Sequence, residues 1–193
     1  MGNRRIGRKR LYGVEKKGQK IDLESGAGMA SNITSATQHR QGQEIITEIA
    51  IDLDGLTGGT ADKDIVGTTA VSYITQLTEA KFGIITEVRV VCVELIDNTA
   101  EDIAGHGIDV EGGSSADGVA NAAAGVNGGG TRVALAHSVR LAGADAAVAP
   151  PTANGLSNKY LYVVMGEAGA TSDEITSGKI IIYIHGFVAP ADL

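Results

Sequence analysis

A chain of 193 residues, 43% hydrophobic and 20% charged, is long enough for one domain of about 150 residues plus an appendage, which excludes a wholly disordered protein. Twenty-seven glycines, no tryptophan and a single cysteine, Cys92, exclude an internal disulfide framework and point to packing by small residues and turns. The net charge of −7 hides a division: residues 1–20 hold eight basic residues against Glu15, a balance of +7, while the other 8 basic and 22 acidic residues leave the remainder at −14.

In chain order, residues 1–42 come first and show no sustained periodicity. Gly2, Gly7, Gly13, Gly18, Gly26 and Gly28 alternate with charges and with the isolated apolar residues Ile6, Leu11, Tyr12, Val14, Ile21 and Leu23. Glycine at this frequency opposes a stable helix. The stretch reads as an extended basic arm, able to reach about 140 Å when stretched, whose apolar side chains anchor it to a partner surface. Arg4, Arg5, Arg8, Lys9, Arg10, Lys16 and Lys17 are the expected partner contacts, with Leu11 and Tyr12 as anchors. A secretory signal would need an apolar run after the arginines, and Leu11-Tyr12-Gly13-Val14-Glu15-Lys16 stands there instead, so export by that route is not expected.

Residues 43–193 read as a β-sandwich body. From Glu44 the pattern has period two, with Ile45, Thr47, Ile49, Ile51 and Leu53 on one face and Glu48 and Asp52 on the other. The acidic stretch 54–64 reads as a loop. Val71–Leu77 is a β-branched segment that equally fits one side of a short helix, through Val71, Ile74 and Leu77. Phe82–Asp97 is the clearest strand: Ile84, Thr86, Val88, Val90 and Cys92 alternate with Ile85, Glu87, Arg89, Val91, Val93 and Leu95. Because both faces become apolar toward its end, it is expected to enter the middle of the sheet system and to bend where the pattern changes. Gly107–Val110 reads as a short edge strand, and Thr131–Ala142, Lys159–Met165 and Lys179–Val188 as further strands. Between them, the segment with Gly112-Gly113-Ser114-Ser115 and Gly128-Gly129-Gly130 reads as an excursion that buries little, and Gly143–Asn158 as a second. About seven strands without alternating helices fit an all-β fold, an antiparallel β-sandwich or jelly roll with an extended N-terminal arm. The longest apolar runs, such as Ile180–Ile184, are far shorter than the roughly 20 residues that span a bilayer, so no membrane partner is expected.

Motifs for chemistry are weak. Asp52-Leu53-Asp54-Gly55 with Asp62 and Asp64 has the acidity of a calcium loop but not its ligand spacing, and an acidic turn explains it. Gly105-His106-Gly107 and Gly178-Lys179 lack the other residues of nucleotide-binding loops. His39, His106, His137 and His185 are scattered, with no nucleophile elbow and no zinc pair. Cys92, in Val90-Val91-Cys92-Val93, reads as a buried thiol. The reading is therefore of a protein that is not an enzyme and uses no cofactor or metal. The basic start could hold phosphates, but Tyr12 alone offers stacking and the acidic body repels nucleic acid, so no specific nucleic-acid partner is expected. An acidic protein surface, neighbouring copies of this body included, suits it better.

Several passages together resemble virion structural proteins of tailed phages, marine ones in particular, whose members include head decoration, or cement, proteins. They are Tyr73-Ile74-Thr75-Gln76-Leu77, Gly83-Ile84-Ile85, Val90-Val91-Cys92-Val93-Glu94, Tyr160-Leu161-Tyr162-Val163 and Ser177-Gly178-Lys179-Ile180 through His185-Gly186. The likeness spans residues 65–97 and 158–188 and leaves out the arm and the glycine-rich middle. It implies a sandwich or jelly-roll subunit made in the host cytoplasm and bound to the outer capsid surface, often as a homotrimer, clamping the major capsid protein or another shell protein. Other head or tail positions are compatible with it. The alternative from a different class is a carbohydrate- or receptor-binding sandwich, a virion surface adhesin, using the glycine-rich loops; the scarcity of aromatic rings argues against it.

Overall fold

Alternating β-branched residues dictate the architecture. In Glu44–Asp52 (β3), Ile45, Thr47, Ile49 and Ile51 are all buried while the residues between them are partly exposed, as a strand with one covered face requires. The computed structural model describes residues 18–59, 64–68, 70–98, 108–121, 133–139, 145–148, 156–166 and 174–188. Around β3 the described elements are β1 (Gln19–Lys20), the single helical turn α1 (Ala27–Ala30), β2 (Ile33–Gln41), β4 (Thr75–Leu77), a second turn α2 (Glu79–Phe82), β5 (Ile84–Asn98), β6 (Ile108–Gly113), β7 (Val133–Val139), β8 (Asp145–Val148), β9 (Lys159–Met165) and β10 (Ile175–Phe187).

These strands form an antiparallel, all-β sandwich. One sheet has the order β1-β2-β3-β10-β5-β8 and the other β4-β9-β6-β7. The last two strands enter the interior of the two sheets. β10 lies between β3 and β5, and β9 between β4 and β6. Ile49, Val88, Val90, Ile180 and Ile182 of the larger sheet meet Leu77, Ile108, Val110, Leu161 and Val163 of the smaller in one core cluster. Cys92 is part of it, and burial pushes its thiol up from the ordinary value.

The structure moves the start of the body from residue 43 to residue 18. Gln19 and Lys20 pair with Gln38 and Thr37, and the Ile21 amide donates to the Ala36 carbonyl at 3.1 Å. Leu23 and Met29 are buried in the core, so Leu23 anchors the chain to its own subunit. Thr75 Oγ1 donates to the Leu23 carbonyl at 2.8 Å, and the Gly26 amide to the Tyr73 carbonyl at 2.9 Å. Residues 18–42 looked unstructured because their hydrogen-bond partners are remote in sequence and their apolar residues are spaced singly.

Three further expectations change. β6 is not an edge strand: it sits between β9 and β7, and all six of its residues are buried, Asp109 and Glu111 included. The excursion after it does not lie free in its first part. Ser114–Asn121 folds back over the smaller sheet, where Ser115 accepts a hydrogen bond of 2.6 Å from the Tyr162 hydroxyl. Glycine permits this approach, because a Cβ on Gly118 would stand 2.6 Å from Ile65 Cδ1 and 2.8 Å from the Tyr162 ring. Within the second excursion, 145–148 form β8 beside β5. The segment around Gly128-Gly129-Gly130 and the pair Pro150-Pro151 lie outside the described residues. The segment at 71–77 resolves to strand: Val71 bridges Val119 and Thr75–Leu77 form β4.

Candidate interaction surface

The two faces of the larger sheet follow from its register. Cross-strand rows on the outer face read Thr37, Glu48, Tyr183, Arg89; then His39, Ile46, His185, Glu87; then Gln41, Glu44, Phe187, Ile84. Toward the opposite end come Ala50, Ile181, Val91 and then Asp52, Lys179, Glu94. Seven of these eighteen residues, Tyr183 included, are apolar or aromatic, and the charged ones are predominantly acidic, with Glu44, Glu48, Asp52, Glu87 and Glu94 against Arg89 and Lys179. Lys179 contacts Glu94 in a close ion pair and lies 3.8 Å from Asp52, and its hydrogen bond to Glu94 holds the ammonium above its ordinary pKa. Glu44 lies 3.7 Å from His185 Nδ1, an ion pair whenever that imidazole is protonated.

Both ends of this face carry exposed hydrophobic side chains. Ile84, Phe187 and Val188 form one group, at 42%, 43% and 37% exposure. Val93 and Leu95, at 47% and 41%, stand near the far end of β5. β5 lies inside the larger sheet, between β10 and β8, as its apolar pattern led one to expect, yet these two residues stay exposed on it. A register irregularity between His185 and Gly186 explains the other departure from the alternation: it shifts β5 by one residue, so that Ile85 packs on the core while Ile84 turns outward opposite Phe187. Apolar side chains exposed side by side, unlike ones exposed singly, mark a contact surface.

The sequence-derived contacts Arg4, Arg5, Arg8, Lys9, Arg10, Leu11, Tyr12, Lys16 and Lys17 lie outside the described residues. What the structure supplies is their point of attachment. β1 runs antiparallel along β2, on the side away from β3, and the described chain begins at Gly18, against Thr37 and Gln38 on the hairpin side of β1. A shallow cleft of about 370 Å³ opens between Lys20–Ser25, which follow β1, and Ile33–Ala36 of β2, with Asp22 and Glu24 in its lining.

The chemical motifs do not assemble. Among the described residues no group of three or more histidine, cysteine or acidic side chains is placed to hold a metal ion. Asp52 faces Lys179, Asp64 is buried at a bridge to β9, and Asp62 lies outside the described residues. His39 and His185 flank Ile46 on the outer face, His137 belongs to β7, and His106 lies outside the described residues. No helix among the described residues is long and apolar enough to cross a membrane. The outer face itself was half legible: Glu48 and Asp52 were read as one face of a strand, but Ile46, Ile181 and Tyr183 join them only through the pairing of β3 with β10. Comparison with protein-family models, with curated proteins and with solved structures finds no match to this chain.

Proposed function

We propose that this protein is a structural virion subunit, a capsid decoration protein that binds the outer surface of a phage head. Its partners are the major capsid protein or another shell protein and further copies of itself, in a homo-oligomer such as a trimer. The β-sandwich is the rigid body, and the basic leading segment, with Arg4, Arg5, Arg8, Lys9 and Arg10, ties it to its surroundings. The single observation that carries this reading is the charge division at a sheet edge. A leader of +6 (residues 1–17) is joined through β1 to a sandwich whose outer face is acidic and studded with exposed Phe187, Val93 and Leu95. Opposed charge guides such an encounter and apolar contact retains it. The resemblance to tailed-phage virion proteins supports the same reading.

Deletion of residues 2–17, which spares β1, tests it. Phage heads stripped of accessory proteins should co-sediment with the full chain, and the truncated chain should lose occupancy by about tenfold or more while melting cooperatively at an unchanged midpoint. Undiminished occupancy would refute the role given to the leader. Absence of binding by the full chain would refute the decoration role.

A further inference from the structure

We infer that the acidic outer face of the larger sheet is the seat of the leading segment of a second copy of this chain, so that subunits are linked by exchanged basic arms. The inference rests on the decoration reading and names what the leader holds. Three observations support it. Charge is complementary: Glu48, Glu87 and Glu94 stand among Val91, Ile181 and Tyr183, and the leader presents arginines and lysines interrupted by Ile6, Leu11 and Tyr12.

Length also fits. The nine residues of β3 span about 30 Å, and the nine residues Arg4–Tyr12 cover the same distance when extended. Direction, finally, favours another subunit. Gln19 pairs with Gln38 and Lys20 with Thr37, so β1, traced backward to Gly18, points along the outermost edge of the sheet toward the hairpin end and not across the outer face. A leader leaving that way meets a neighbour with no reversal of its path.

The test is a charge exchange in the full-length protein, read by sedimentation. The wild type should self-associate at about 0.05 M NaCl and weaken at about 0.5 M, where screening shortens the reach of charge to a few ångströms. Replacing Arg4, Arg5 and Arg8 by Glu, or replacing Glu48 and Glu87 by Lys, should each weaken association by about tenfold or more. Combining both sets in one chain should restore it, a rescue that simple damage to the fold would not produce. The milder pair Glu48→Gln and Glu87→Gln covers the possibility that the lysine variants melt early, and should weaken association without rescue.

A wild type that is monomeric at all concentrations overturns the inference, as does association insensitive to these changes. If the protein is monomeric yet binds stripped heads, the arm-exchange inference falls while the decoration reading stands. If the face variants lose only head binding, the face belongs to a shell protein rather than to a second copy.

Discussion

The two sheets of this sandwich solve the same problem in opposite ways. The larger sheet buries one face and leaves the other to solvent, so β3 alternates cleanly and its outer side keeps charges beside isoleucine and tyrosine. At β6 and β9 the smaller sheet is covered on both sides. In β9, Leu161 and Val163 pack into the main core while Tyr162 and Val164 form a second cluster with Ile65, closed over by the loop around Gly118. The lesson is that loops of this chain already occupy the described outer side of the smaller sheet, whereas the larger sheet presents an apolar and acidic face with no such cover among the described residues.

The largest expected effect separates the two sides of one strand. Ile182→Ala, at a fully buried position, should cost about 2–5 kcal/mol in denaturant unfolding, whereas Ile181→Ala on the outer face should cost about 1 kcal/mol. Equal losses would mean that the outer face is packed like the inner one. Next, Gly118→Val should destabilise by about 1–3 kcal/mol, because the added side chain must displace Ile65 or the Tyr162 ring; a neutral result would show that the loop does not close over the smaller sheet.

Tyr162→Phe should cost about 1 kcal/mol by removing the hydrogen bond to Ser115. The same residue gives a pH signature. Burial pushes the Tyr162 phenol from 10.0 up to about 12, so the folded state retains the proton when the unfolded chain has released it. Its contribution is therefore complete below pH 10 and is lost as pH rises from 10 through 12. Urea midpoints across that window should fall more steeply for the wild type than for Tyr162→Phe; parallel slopes would contradict the covered site. Smallest of all, Lys179→Met should leave the melting midpoint within error, since its ion pairs with Glu94 and Asp52 are exposed.

Local periodicity made interior strands of both sheets readable. β3, β5, β9 and β10 all fall where alternating or apolar runs place them, within a few residues, because a half-buried strand writes its burial directly into its side chains. β2 and β1 escaped because Ile33–Gln41 is largely polar and is strand only by virtue of pairing with β3. β6 was misplaced at an edge for a related reason: its Asp109 and Glu111 suggest exposure, and only the covering of both faces buries them. The candidate surface was legible in its charges and illegible in its shape.

By itself the sequence determined the all-β class, the inward faces of the strongest strands and the separation of a basic leader from an acidic body, since each depends on residues adjacent or two apart along the chain. Only the tertiary structure decided where the body begins, which strands occupy the sheet centres and that Val93, Leu95 and Phe187 face outward. Those outcomes depend on pairings such as Tyr183 with Glu48 and Arg89, which bring together residues nearly a hundred or more positions apart. Register across such distances, not local propensity, chooses which side of a strand meets solvent.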